Sequence, residues 1–190
     1  MTEGNAAYRP TDPDHALIRR MAAGETEALD ELYARYSPGI LNFLYARLND
    51  RQLAEEVLQD VMLAAWRAAP NFREESKVLT WLLTIARNRA INTRRKQRPT
   101  LVELNEEVRL QATDTGPLEK VSKLDKYEAL RAGLEQLPEM QREVLVLVFF
   151  HQLSGAEIAE MLDISVGTVK SRLFRAKEML RRVLPSEENL

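Results

Sequence analysis

The sequence predicts an all-α fold in two small helical domains joined by a flexible linker. Three observations lead there. Apolar residues recur at three- and four-residue spacing through most of the chain. No strand-like alternation outlasts that helical period in the N-terminal half. Residues 99–120 lose the period, turn acidic and collect turn formers in Thr113, Asp114, Thr115, Gly116 and Pro117. The expected organisation is a mobile tail over 1–13, a domain over 14–98, the linker over 99–120, a domain over 121–184 and a tail over 185–190.

The first helix starts near Asp14, places Leu17, Ile18 and Met21 on one face and stops at Gly24. A second spans about Thr26 to Tyr36, with Leu29, Leu32, Tyr33 and Tyr36 in register. Ser37-Pro38 reads as an N-cap followed by proline at the first position of a third helix, which carries Ile40, Leu41, Phe43, Leu44 and Leu48. A fourth covers about Gln52 to Ala69, with Leu53, Val57, Val61, Ala64, Ala65 and Ala68 as its stripe, and Pro70-Asn71 breaks it. A polar loop over Asn71–Lys77 leads into a long helix from about Val78 to Lys96, closed by Pro99. Beyond the linker, helical patterning runs from about Leu118 to Leu134, breaks at Leu137-Pro138 and returns as an apolar helix over Gln141–Phe150.

Composition removes several function classes. The 190 residues contain no cysteine, so disulfides, thiolate catalysis, iron–sulfur clusters and cysteine-based zinc sites are excluded. No nucleophile–base constellation, phosphate loop or metal-spaced carboxylate set is visible, so neither an enzyme nor a cofactor is expected. His151 follows Phe149-Phe150 and reads as a helix-end residue. No apolar run nears the roughly 18 residues that span a membrane, and the first 20 residues carry Asp12, Asp14, Arg19 and Arg20 rather than a signal core, so a cytoplasmic protein is expected. The net charge of −2 hides a polarised distribution. Arg87–Arg98 holds six basic residues and no acidic one, and Lys170–Arg182 holds six basic residues against Glu178 alone. Acidic residues gather in Glu55–Asp60 and Glu103–Glu119.

The sharpest local signal runs from Ser154 to Leu180. Ser154 and Glu157 form a capping box at a helix start, and Ile158, Ala159 and Leu162 form one face. After Asp163-Ile164, Ser165 caps a second helix that buries Val169, Leu173, Ala176 and Leu180. Two helices joined by so short a turn form a helix-turn-helix. Thr168, Lys170, Ser171, Arg172, Phe174, Arg175 and Lys177 lie off the apolar stripe, where cations and hydroxyls suit base edges and phosphates in a major groove. A solvated basic helix is the plainer reading, and the turn, the cap and the scarcity of acidic partners weigh against it. In the N-terminal half, Asn88, Asn92 and Arg95 sit at i, i+4 and i+7, flanked by Arg87, Arg89, Arg94 and Arg98. The preceding Asn71, Phe72, Arg73, Ser76 and Lys77 supply an aromatic, cations and polar groups of the kind that hold an unstacked base. For this segment a solvated basic face stays open as an equal alternative.

Together these segments resemble the sigma-70 family of bacterial sigma factors, in its small extracytoplasmic-function group. The resemblance covers nearly the whole chain. ALDELYARYSPGILNFLYARL, AEEVLQDVMLAAWRAAPNFR and TWLLTIARNRAINTRRK resemble the domain that binds core RNA polymerase and the −10 promoter element. LEQLPEMQREVLVLVFFHQLSGAEIAEMLDISVGTVKSRLFRAKEML resembles the domain that reads the −35 element. The resemblance implies that Glu55, Glu56, Gln59 and Asp60 dock on the polymerase clamp. It implies that the Asn71–Lys77 loop captures a flipped −10 base, beside Asn88, Arg89, Asn92 and Arg95. It gives Lys170, Ser171, Arg172, Phe174 and Arg175 to the −35 reading helix, and the acidic linker to the path toward the polymerase active site. The implied partners are core RNA polymerase, promoter DNA and an anti-sigma factor. The sequence departs from the pattern at Val78 and Leu79, where many members have an aromatic and a basic residue before T-W, which weakens the resemblance's claim that those two positions help open DNA. About 22 extended linker residues reach roughly 70 Å, nearly two duplex turns of roughly 34–36 Å each. A conventional helix-turn-helix regulator that never joins polymerase is the rival reading.

Overall fold

A computed structural model describes residues 12–97, 132–134 and 136–183. The expected linker, both tails apart from Asp12 and Pro13, and most of the helix expected over Leu118–Leu134 lie outside the described residues. The chain divides into two compact units, one holding the helices up to Gln97 and one built mainly from residues beyond it. Among the described residues every regular element is helical. No helix there is long and apolar enough to cross a membrane.

In the first unit, α1 (His15–Ala22) buries Leu17, Ile18 and Met21. It ends in a left-handed Gly24 at φ 92°. The Glu25 amide closes back on the Arg20 carbonyl at 3.1 Å and the Gly24 amide on Met21 at 3.0 Å, the paired bonds of a glycine-terminated helix. α2 (Thr26–Leu48) corrects the expected break at Ser37-Pro38: the helix runs straight through both residues. Proline inside a helix removes one amide bond and crowds the preceding turn, at about 3 kcal/mol. Here Pro38 is exposed, while Ala28, Leu32, Ile40, Phe43 and Leu44 are buried on both sides of it. Their continuous buried face offsets the local cost, because each fully buried large aliphatic side chain contributes about 1.5–3 kcal/mol. Tyr33, expected on the apolar face, is instead 46% exposed.

α2 stops at Asn49, whose left-handed φ of 54° suits asparagine. Asp50 then caps α3 (Arg51–Ala68), its carboxylate accepting from the Leu53 amide at 3.0 Å. α3 buries Ala54, Val57, Leu58, Val61, Met62 and Ala65. After a single 3₁₀ turn, Ala69–Asn71, the chain crosses a short loop into α4 (Val78–Gln97). α4 packs on α2 and α3 and buries Val78, Leu82, Leu83, Ala86 and Ala90.

In the second unit, α5 (Glu139–Phe149) packs on α7 (Val166–Val183). Leu137, Leu145 and Ala176 form a buried centre with Leu134, Leu173, Met179 and Leu180 against it. Between them α6 (Gly155–Leu162) carries the expected capping box: the Ser154 amide donates to Glu157 at 2.8 Å, and the Glu157 amide to Ser154 Oγ at 3.2 Å. His151, just past α5, is buried, and burial lowers its pKa from the usual 6.5.

Candidate nucleic-acid interfaces

The loop between the 3₁₀ turn and α4 is held from a distance in sequence. The buried His15 on α1 donates from Nε2 to the Ser76 carbonyl at 3.0 Å. The other ring nitrogen lies 3.5 Å from a Glu74 carboxylate oxygen, an ion pair whenever the imidazole is protonated. Arg19 reaches the other Glu74 oxygen at 2.5 Å. Glu74 itself is left-handed, with φ 55°. That conformation costs a non-glycine residue about 1 kcal/mol, which its two tethers offset. Asp12 takes over the start of α4, its carboxylate accepting from the Val78 amide at 2.7 Å and from Asp14 at 2.9 Å. Asp14 in turn accepts from Arg35 and from the Tyr36 hydroxyl on α2. Burial, then the bond to Asp14, raises the Tyr36 pKa.

Phe72 packs within this frame. Its ring lies edge-on to His15 at 5.5 Å and tilted against Trp81 at 4.8 Å. Half-buried Phe72 therefore joins the scaffold of the loop as well as its surface. Asn71, Arg73 and Lys77 are exposed, and Ser76 is half-buried with its carbonyl spent on His15. One helical turn and more beyond, Asn88, Arg89, Asn92 and Arg95 are all exposed. At 100° per residue, Asn88, Asn92 and Arg95 lie opposite the buried Leu82, Ala86 and Ala90, on the side that also carries Trp81. The exposed cations and amides of α4 thus continue the surface that begins at the Phe72–Trp81 pair.

α7 is built differently. Ser165 Oγ accepts from the Thr168 amide at 3.0 Å and shares a 2.9 Å bond with the Thr168 hydroxyl. The Ser171 hydroxyl donates to the Thr168 carbonyl at 3.1 Å. Thr168 is therefore engaged in starting the helix. Lys170, Ser171, Phe174, Arg175 and Lys177 are exposed, Phe174 by 67%, and Arg172 is half-buried at the flank. Val169 and Ala176 hold the opposite face in the core. Lys177 lies over the Phe149 ring at 5.2 Å, a contact worth about 0.5–1 kcal/mol at an exposed site. Glu178, the residue after Lys177, is paired with Arg181 at 2.6 Å. On α3, Glu55, Glu56, Gln59 and Asp60 are all exposed, with Leu63 beside them at 52% exposure.

Residues 32–100 match the model for Sigma-70 region 2, and residues 127–180 match the model for Sigma-70 region 4. The RNA polymerase sigma-H factor of Pseudomonas aeruginosa is 34% identical over 182 residues, which covers 91% of this chain and 94% of that one. The extracytoplasmic-function RNA polymerase sigma-E factor of Haemophilus influenzae is 33% identical over 180 residues, covering 88% and 93%. This chain belongs to the sigma-70 family, in its extracytoplasmic-function group. It is an RNA polymerase sigma factor and directs promoter-specific transcription initiation. The fold agrees with a solved sigma factor, RpoE in complex with the anti-sigma factor NepR from Bartonella quintana, at a TM-score of 0.65 and 24% identity, covering 83% of this chain and 97% of that one.

Within this sigma factor the loop, the α4 face and the acidic face of α3 fall inside the region 2 match, and the α7 face falls inside the region 4 match. Sequence reasoning did not find His15, Asp12 or Trp81 as parts of the loop site, and it gave Glu74, inside the loop, no role of its own. His15 and Asp12 act on residues 61 and 66 positions away, beyond any periodic signal. Glu74 gives no mark of a positive φ, being neither glycine nor asparagine.

Proposed function

We propose that the two basic faces of this sigma factor divide promoter recognition between them. Lys170, Ser171, Arg172, Phe174, Arg175 and Lys177 read −35 duplex, with Thr168 setting the start of their helix. Asn71, Phe72, Arg73, Ser76 and Lys77, with Asn88, Arg89, Asn92 and Arg95, hold the melted −10 strand. Glu55, Glu56, Gln59 and Asp60 dock on core polymerase. The chain acts in the cytoplasm as a specificity subunit with no chemistry of its own, polymerase supplying catalysis. An anti-sigma factor is the expected inhibitory partner; the Bartonella quintana sigma factor RpoE was solved in complex with the anti-sigma factor NepR.

The observation that carries this reading is that α4 and α7 each bury one face and present cations and hydrogen-bonding side chains on the other. Asparagine and arginine can bond base edges while arginine and lysine neutralise phosphates. A loop with an aromatic and two cations beside a basic helix suits an unstacked base. Run-off transcription with core polymerase over promoters randomised separately at the two elements tests it. Substitutions in α7 should alter the profile at −35 alone, and substitutions on the α4 face the profile at −10 alone. Profiles that shift at both elements, or at neither, overturn the division.

A further inference from the structure

We infer that His15 and Glu74 are positioning residues for −10 recognition, together forming a latch that holds the Asn71–Lys77 loop in its strand-accepting shape. This rests on the reading of that loop as the strand-holding element.

Two residues define the latch. His15 sits in α1, 5% exposed, and serves the loop at two points of its backbone and surface. Its Nε2–H holds the Ser76 carbonyl at 3.0 Å, and its ring edge supports Phe72 at 5.5 Å. Glu74 carries the one left-handed backbone among the described loop residues. Its carboxylate is turned back to α1, 2.5 Å from Arg19 and 3.5 Å from His15. A left-handed glutamate is disfavoured on its own, so the ties to α1 select that backbone shape. The loop side chains Asn71, Arg73 and Lys77 are exposed on the side left over. Recognition of a single flipped base depends on placing donors within about half an ångström, and this loop takes its placement from α1.

Arg19 is the weaker member, since it is 64% exposed and its ion pair is screened. His15 and Glu74 are therefore the residues to test. His15→Phe keeps an aromatic edge against Phe72 and removes the bond to Ser76. His15→Gln can place an amide donor near the Nε2 position. Glu74→Gly removes both carboxylate ties yet accepts φ 55° without strain, so the fold should survive.

The experiment uses the full chain with core polymerase, on promoters with a fixed −35 element and each −10 base varied. For His15→Phe and Glu74→Gly, discrimination among −10 bases should flatten by about tenfold. His15→Gln should recover most of it. Polymerase affinity and thermal midpoint should stay near those of the parent. Asn71→Ala and Arg73→Ala are run in parallel as direct tests of the loop. If these alter the −10 profile while His15→Phe and Glu74→Gly leave it intact, the latch is overturned and the loop reading stands. If none of the four alters the profile, the loop reading fails and takes the latch with it. A flattened profile that tracks a lowered thermal midpoint, without rescue by His15→Gln, also overturns the latch.

Discussion

The loop before α4 and the outer face of α7 are both proposed to touch promoter DNA, yet they are assembled by opposite means. α7 is self-contained: Ser165 caps it three residues away, Thr168 and Ser171 complete the first turn, and its exposed residues follow from helical spacing. The loop is held largely from outside itself, by distant Asp12 on the Val78 amide and distant His15 on Ser76, with nearby Trp81 against Phe72. A rigid helix suits a duplex groove, whose shape is already set. A loop held from outside suits a single strand, whose bases must be captured one at a time. The difference teaches that damage to α7 should be local and chemical, whereas damage to the loop should be transmitted through the first unit.

The largest test strikes the support of the loop. Leu82→Ala, at a fully buried position on α4, should destabilise the protein by about 2–5 kcal/mol. Amide exchange should speed up across the loop and α4, and remain slow in α7. Equal acceleration in α7 would erase the contrast between the two regions. Arg175→Ala comes next. It should cost −35-dependent transcription about 1–3 kcal/mol if the guanidinium meets a base, with melting unchanged. An unaltered −35 profile would remove Arg175 from the reading set.

The two helix starts offer a matched and smaller pair. Ser165→Ala should cost about 0.5–2 kcal/mol and fray only the first turn of α7. Asp12→Ala should cost a similar amount at the start of α4, and additionally loosen Asp14 and the loop, because one carboxylate serves two amides. Chemical-shift changes confined to the first turn of α4 would show that Asp12 is a local cap as well. The smallest effect concerns His151. Burial lowers its folded pKa below 6.5, so the unfolded chain binds a proton there that the native state refuses. Its contribution to stability is complete above about pH 6.5 and is lost as pH falls from there toward the lowered value. The denaturation midpoint of the parent should therefore fall relative to that of His151→Phe on acidification. A difference that is flat with pH would show that His151 does not titrate differently on folding.

Much of both sites is readable from residues three and four positions apart. The Ser154–Glu157 box, the Ser165 cap and the outward set from Lys170 to Lys177 all follow from that spacing, as do Asn88, Asn92 and Arg95 opposite Ala86 and Ala90. Such features depend on bonds within one turn of helix, so sequence order and spatial order coincide. Pro38 misled because a local break signal competes with burial that is settled elsewhere: Leu32, Ile40 and Phe43 keep the helix whole by packing against other helices. The loop was legible only as an aromatic, basic and polar list. Its shape, the left-handed Glu74, the carbonyl held by His15 and the helix start held by Asp12 were decided by tertiary structure. A contact across 61 or 66 residues leaves no period in the chain, and it exists only once α1 has been packed beside the residues it holds.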